Sequence, residues 1–193
     1  MKLRKSQQLL IDKYINVLFE ENEKYNLVSR QMAPGEFLGL VDESILLGNY
    51  IRGDKIVDAG SGNGLLGIVM AILFPDIRVF LVEPKQKKAN FLSMVVKKLD
   101  LINAEIFADS VTEFFRKKSL WGSGVLVARG FPDNSMLISF LEKRLVDQVL
   151  VITSVNKIKK IEKQLEMLKQ KIYNIPSRDN LRILKMENVS RET

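Results

Sequence analysis

Val57-Asp58-Ala59-Gly60-Ser61-Gly62-Asn63-Gly64-Leu65-Leu66-Gly67 joins a short apolar run, Lys55 to Val57, to a stretch with helical patterning. The glycines at 60, 62 and 64 let the backbone turn sharply and let a ligand lie against it without meeting a Cβ. In a doubly wound sheet this turn, at the carboxyl end of the first strand, forms the ligand crevice. Read from Gly62, the same residues also spell G-x-G-x-x-G, the dinucleotide fingerprint.

Asp58 weighs against a diphosphate, because it stands two residues before the first glycine, where a dinucleotide brings its pyrophosphate. A carboxylate about 4 Å from an anion is opposed by roughly 1 to 4 kcal/mol, depending on the effective dielectric. A ligand bearing an ammonium and a sulfonium is attracted there instead, and S-adenosylmethionine carries both and no phosphate. Glu83 ends the next apolar run, Val79-Phe80-Leu81-Val82-Glu83, where an acid can accept hydrogen bonds from both ribose hydroxyls. The ribose is common to both cofactors, so Glu83 fits either. A purely structural alternative is that Asp58 caps the turn and the glycines serve close packing of helix on strand.

Outward from this turn, apolar runs alternate with amphipathic stretches. The runs are 55–57, 79–82, 105–108, 125–128 and 149–153, and the helical candidates are 64–74, 85–100, 110–118, 134–145 and 156–171. Such alternation implies a parallel sheet covered on both faces. Before it, Leu9, Leu10, Tyr14, Val17 and Leu18 recur at helical spacing, and Phe37, Val41, Ile45 and Leu46 do so again just after Pro34, a residue suited to a first turn. Residues 1–52 therefore read as a helical extension packed on a core of 53–193. In the tail, Ile172–Ile175 and Leu181–Met186 flank the turn formers Pro176 to Asn180 and read as a hairpin at the sheet edge.

With 193 residues, 46% of them hydrophobic, the chain can bury a core of about one domain. Cysteine and histidine are both absent, which removes disulfides, thiolate and imidazole metal sites, Ser-His-Asp and Cys-His nucleophiles, and an imidazole base. The formal charge of +7 favours polyanions such as nucleic acid or an anionic membrane surface. No stretch approaches the roughly 20 apolar residues of a membrane span, and the start of the chain lacks an export pattern, so the expected compartment is the cytoplasm.

The turn with its continuation to Ile68, together with Leu81-Val82-Glu83-Pro84-Lys85-Gln86-Lys87-Lys88-Ala89-Asn90-Phe91-Leu92 and Ala128-Arg129-Gly130-Phe131, resembles the ribosomal RNA small-subunit methyltransferase G family, also called glucose-inhibited division protein B. Asn22-Glu23-Lys24-Tyr25-Asn26-Leu27 and Asp42-Glu43-Ser44-Ile45-Leu46 fall where that family keeps its helical signatures, so the similarity covers most of 15–155. The resemblance implies a class I methyltransferase fold, Rossmann-like and mostly parallel. It also implies methyl transfer from S-adenosylmethionine to guanine N7 of 16S ribosomal RNA, free or in an assembling 30S subunit, by a monomer that needs no metal. Carried across, Gly60 and Leu65, with Asp58, Gly62 and Gly64, line the cofactor's methionine end. Glu83 takes the ribose. Asp109, Val111 and Thr112 lie beside the adenine, and Arg129 stands where cofactor meets substrate, as the candidate catalytic residue. Lys85, Lys88, Phe131, Asn26 and Ser44 fall on the substrate side. The chain departs from the family pattern at Leu40, Glu43, Leu66 and Thr112.

The chemistry suits the composition. Guanine N7 has a lone pair and no proton, so no general base is required and positioning alone can supply the rate. Pyrimidine C5 methylation, which needs a cysteine, is excluded. Arg129 suits guanine O6 or a phosphate better than N7, which becomes positive as it is alkylated. Lys85, Lys87 and Lys88, the amino-terminal Lys2, Arg4 and Lys5, and Lys157, Lys159, Lys160 and Lys163 are candidate phosphate contacts, and Phe131 is a candidate stacking platform. The competing functions are a nicotinamide-dependent oxidoreductase on the overlapping G-x-G-x-x-G, and an RNA-binding protein that keeps the fold without methyl transfer.

Overall fold

The computed structural model describes residues 2–118, 124–176 and 178–187. Among these residues, seven strands form one sheet in the order β3-β2-β1-β4-β5-β7-β6. They are β1 (Lys55–Ala59), β2 (Arg78–Val82), β3 (Ala104–Phe107), β4 (Gly124–Arg129), β5 (Gln148–Ser154), β6 (Lys169–Asn174) and β7 (Leu181–Glu187). The first five pair in parallel, and β7 inserts antiparallel between β5 and the edge strand β6. β1, β4 and β5 occupy the middle, where both faces are covered, which is why Ile56-Val57, Val125-Leu126-Val127 and Val149-Leu150-Val151-Ile152 read as unbroken apolar runs.

One face carries α1 (Lys5–Glu20), the single turn α2 (Asn22–Tyr25), α3 (Pro34–Gly48), α4 (Gly67–Leu73) and α5 (Gln86–Leu99). The other carries α6 (Val111–Lys117), α7 (Asn134–Glu142) and the short helices α8 (Val155–Lys160) and α9 (Glu162–Leu165). In α1, Ile11, Tyr14, Ile15 and Leu18 are buried at positions i, i+3, i+4 and i+7, one face of a helix. α3 starts at Pro34, and Glu36 reaches back to accept the Ala33 N–H at 3.1 Å. Residues of α1 and α3 share one apolar cluster with α4, α5 and the sheet. Polar links reinforce that seam: Gln7 Nε2 donates to the carbonyls of Ile72 and Leu73 at 3.2 and 3.1 Å, closing the carboxyl end of α4.

The helix expected over 156–171 is broken. Ile158, Ile161, Leu165 and Leu168 are buried at helical spacing, but the chain leaves helical geometry at Ile161 (φ −110°, ψ 12°), and from Lys169 it becomes an edge strand. Pairing with β7 overrides local preference there, and Lys169 and Lys171 leave the open edge charged, which discourages strand addition. The hairpin pairs as its sequence suggests, with Lys169 opposite Glu187 and Asn174 opposite Arg182. Ser177 of its connecting loop lies outside the described residues. No helix among the described residues is long and apolar enough to cross a membrane, and no cluster of His, Cys, Asp or Glu there could hold a metal.

Candidate functional site

The glycine turn leaves the carboxyl end of β1 and enters α4, and its backbone N–H groups are directed inward. Gly60 and Ser61 donate to the Val82 carbonyl at 2.9 and 3.0 Å, and Gly64 donates to the Ser61 carbonyl at 2.8 Å. Gly62 donates to Glu83 Oε2 at 2.8 Å, Leu65 to Asn63 Oδ1 at 3.2 Å, and Gly67 to Asp58 Oδ2 at 2.8 Å. A phosphate-binding turn presents such donors to its ligand. Here protein acceptors already hold them, and two of those acceptors are carboxylates. Gly64 and Gly67 have a steric reason as well. A Cβ at Gly64 (φ +90°) would lie 2.6 Å from Ile68 Cγ1, and one at Gly67 would lie 2.6 Å from Leu81 Cγ and 2.8 Å from Asp58 Oδ2.

Asp58 is 2% exposed. Burial pushes its carboxyl up to about 7, against the hydrogen bonds from the Gly67 N–H and Ser61, and the nearby charge of Glu83 adds to the rise. The capping contact does not seal Asp58 off, because it also lines a cavity of about 300 Å³ with Gly60, Ser61, Gly62, Leu65 and Lys88. Leu27, Val28, Met32 and Leu40, contributed by the amino-terminal segment, close the cavity's other side. They are held there through Asn63: its carbonyl accepts the Tyr14 hydroxyl at 2.9 Å, and its Nδ2 donates to the Leu27 carbonyl at 3.3 Å.

A second cavity of about 360 Å³ adjoins the first at Gly60 and Arg129. Its lining includes Glu83, Val111, Thr112, Phe131 and Met136, a largely apolar surface that contains one carboxylate. Glu83 is 5% exposed, and its Oε1 accepts the Lys85 N–H at 2.9 Å while Oε2 holds Gly62. Each oxygen keeps a further lone pair for a hydroxyl.

Arg129, at the junction of the two cavities, donates from Nη1 to Glu43 Oε2 at 2.5 Å. Glu43 Oε1 accepts Arg178 Nε at 2.6 Å, so one buried carboxylate from α3 bridges two guanidinium groups. Arg178 was not visible as a site residue in the sequence, since a lone arginine among turn formers gives no signal until the hairpin folds back on α3.

The remaining expectations meet different surroundings. Ser44 is fully buried, and its hydroxyl donates to the Leu40 carbonyl at 3.1 Å inside α3, which leaves nothing to face a substrate. Asp109 lines neither cavity: its carboxylate pairs with Lys117 at 2.6 Å, and that contact, with the Ser110 N–H, holds its pKa below the usual carboxylate range. Asn26 is exposed, in left-handed geometry (φ 53°) at the end of α2. Lys85 is exposed, whereas Lys88 turns into the first cavity. Lys157 is directed inward, its Nζ donating to the Phe131 carbonyl at 2.6 Å.

A family model described as rRNA small subunit methyltransferase G matches residues 7–185. A ribosomal RNA small subunit methyltransferase G of Brachyspira hyodysenteriae is 29% identical over 194 residues, covering 100% of this chain and 90% of the relative. One from Mycoplasma mycoides subsp. mycoides is 38% identical over 109 residues, 54% of this chain and 80% of the relative. Among solved structures, an O-methyltransferase from Bacillus cereus in complex with SAH superposes with a TM-score of 0.63 at 13% identity, covering 92% of this chain and 91% of that one. At that identity the likeness shows the shared class I methyltransferase fold.

Proposed function

Because the chain belongs to the rRNA small subunit methyltransferase G family, we propose that it methylates guanine N7 of 16S ribosomal RNA with S-adenosylmethionine as donor. The observation that carries this reading is the internal satisfaction of the glycine turn by Glu83 and Asp58, which suits a cationic cofactor and leaves no row of donors for a diphosphate. The cofactor supplies a methyl group on a sulfonium sulfur, ready for in-line displacement.

The residues fit that donor. In the second cavity Glu83 would hold the ribose and Val111, Thr112 and Met136 would surround the base, while Asp58, Gly60 and Leu65 in the first cavity would hold the amino-acid end. Arg129, which lines both cavities, could hold guanine O6 or a phosphate beside the bound donor, and Glu43 fixes its orientation. Nothing in the chain need accept a proton, which agrees with a site that has neither histidine nor cysteine. Positioning carries the catalysis.

On the substrate side, Phe131, which lines the second cavity, can stack on the target base, and the exposed Lys85 and Asn26 can contact the backbone. Residues 1–52 act as an extension that walls the cofactor site. The working form is a cytoplasmic monomer acting on RNA alone or on an assembling 30S particle. The test is differential scanning with S-adenosylhomocysteine and NADH in parallel. A ligand at 100 times its Kd raises stability by about 2.7 kcal/mol, so S-adenosylhomocysteine should shift the Tm and NADH should not. The reverse pattern would favour the oxidoreductase.

A further inference from the structure

Lys88 has no local purpose in the fold. It lies in the first turn of α5, which contains no acidic residue, so its charge opposes the helix dipole there. Its side chain makes no ion pair or hydrogen bond among the described residues. Glu83, the nearest acid along the chain, has both oxygens engaged by backbone N–H groups. Lys85 and Lys87 are exposed, as lysines meant for solvent or phosphate should be, whereas Lys88 is half-buried and lines the first cavity. Its Nζ lies 4.0 Å from where a Cβ on Gly62 would stand, directly over the glycine turn.

The charged side chains that line this cavity are Asp58, Lys88 and Arg129, and Arg129 is already paired with Glu43. An anion and an unpaired cation facing one cavity match a zwitterion. We propose that Lys88 is the counter-ion of the cofactor's α-carboxylate, so that Asp58 and Lys88 together read the amino-acid end of the donor. This rests on the methyltransferase reading and deepens it. It moves Lys88 from the RNA surface to the cofactor site, as a specificity-determining residue that requires both ends of the zwitterion.

Calorimetric titration tests the assignment with three ligands: S-adenosylhomocysteine, decarboxylated S-adenosylmethionine, which keeps the amine, and methylthioadenosine, which has neither group. Lys88→Gln should bind S-adenosylhomocysteine about ten- to a hundredfold more weakly than the parent, the range expected for losing one charged hydrogen bond. It should bind the other two ligands within about twofold of the parent. Lys88→Arg should recover most of the lost affinity, and Lys87→Gln, one residue away, should lose none. Equal weakening for all three ligands, or parental affinity of Lys88→Gln for S-adenosylhomocysteine, overturns the assignment. Parental cofactor affinity combined with a loss confined to RNA binding overturns it in favour of a phosphate contact. Failure of the parent protein to bind S-adenosylhomocysteine at all refutes the methyltransferase reading itself.

Discussion

Replacing Asp58 by asparagine should make the protein more stable at neutral pH and poorer at binding its cofactor. The carboxyl is fully buried and titrates at about 7 in the folded protein, against an ordinary value of 3.8. A shift of about three units corresponds to about 4 kcal/mol. Because the folded value is the higher one, the native state holds this proton more tightly than the unfolded chain does. Stability is therefore unpenalised below about pH 4, falls as pH rises towards 7, and stays low above it. Asparagine cannot ionise, yet its oxygen can still accept the Gly67 N–H. Urea unfolding of both proteins from pH 4 to 8 isolates the effect, since every other titrating group cancels in the difference. That difference should move in favour of Asp58→Asn by about 4 kcal/mol across the range. Calorimetry completes the test: a cofactor ammonium beside the carboxylate stabilises its ionised form, so binding of S-adenosylhomocysteine to the parent should release a proton near pH 6.5 and weaken by up to tenfold per unit below pH 7. The variant should bind weakly with no such dependence. A stability difference that stays flat within about 1 kcal/mol would refute the claim that burial, with little compensation, governs this carboxylate.

Gly67→Ala places a methyl group 2.6 Å from Leu81 Cγ and against Asp58, so overpacking of about 1 to 3 kcal/mol should lower the Tm by several degrees; an unchanged Tm would mean α4 can shift off β2 freely. Glu43→Gln removes the charge that a buried position supplies to two arginines and should cost about 1 to 3 kcal/mol in urea unfolding, whereas Arg178→Gln, at 43% side-chain exposure, should cost less than about 1. Lys157→Met frees the Phe131 carbonyl and should weaken S-adenosylhomocysteine binding severalfold while leaving the salt dependence of RNA binding unchanged; a smaller salt slope would return Lys157 to the RNA surface.

The central sheet was legible in the sequence because both faces of β1, β4 and β5 are covered, which leaves uninterrupted apolar runs between turn residues. The glycine turn was equally plain, since Gly64 and Gly67 occupy positions where no Cβ fits. Segments governed by distant partners were not legible. Lys169 to Lys171 end the helical pattern expected over 156–171, yet they join β6, because β7 offers an edge. The Glu43 bridge joins residues 86 and 135 positions apart, and neither span leaves a local trace. Long basic side chains were the least readable. Lys85, Lys88 and Lys157 look alike in sequence, yet one faces solvent, one lines the cavity beside the glycine turn and one holds a loop carbonyl. The absence of histidine told the chemistry more directly than any residue present, because it restricts the reaction to one that needs no imidazole base.

Methyl transfer from tritiated S-adenosylmethionine to 16S ribosomal RNA and to 30S subunits, followed by borohydride and aniline cleavage to locate 7-methylguanine, addresses the reaction itself. The label should enter one guanine of the RNA, cleavage should occur at that nucleotide, and Arg129→Ala should abolish both. Label confined to protein or small molecules, or incorporated into RNA at a position that aniline does not cleave, would contradict base-free alkylation at guanine N7.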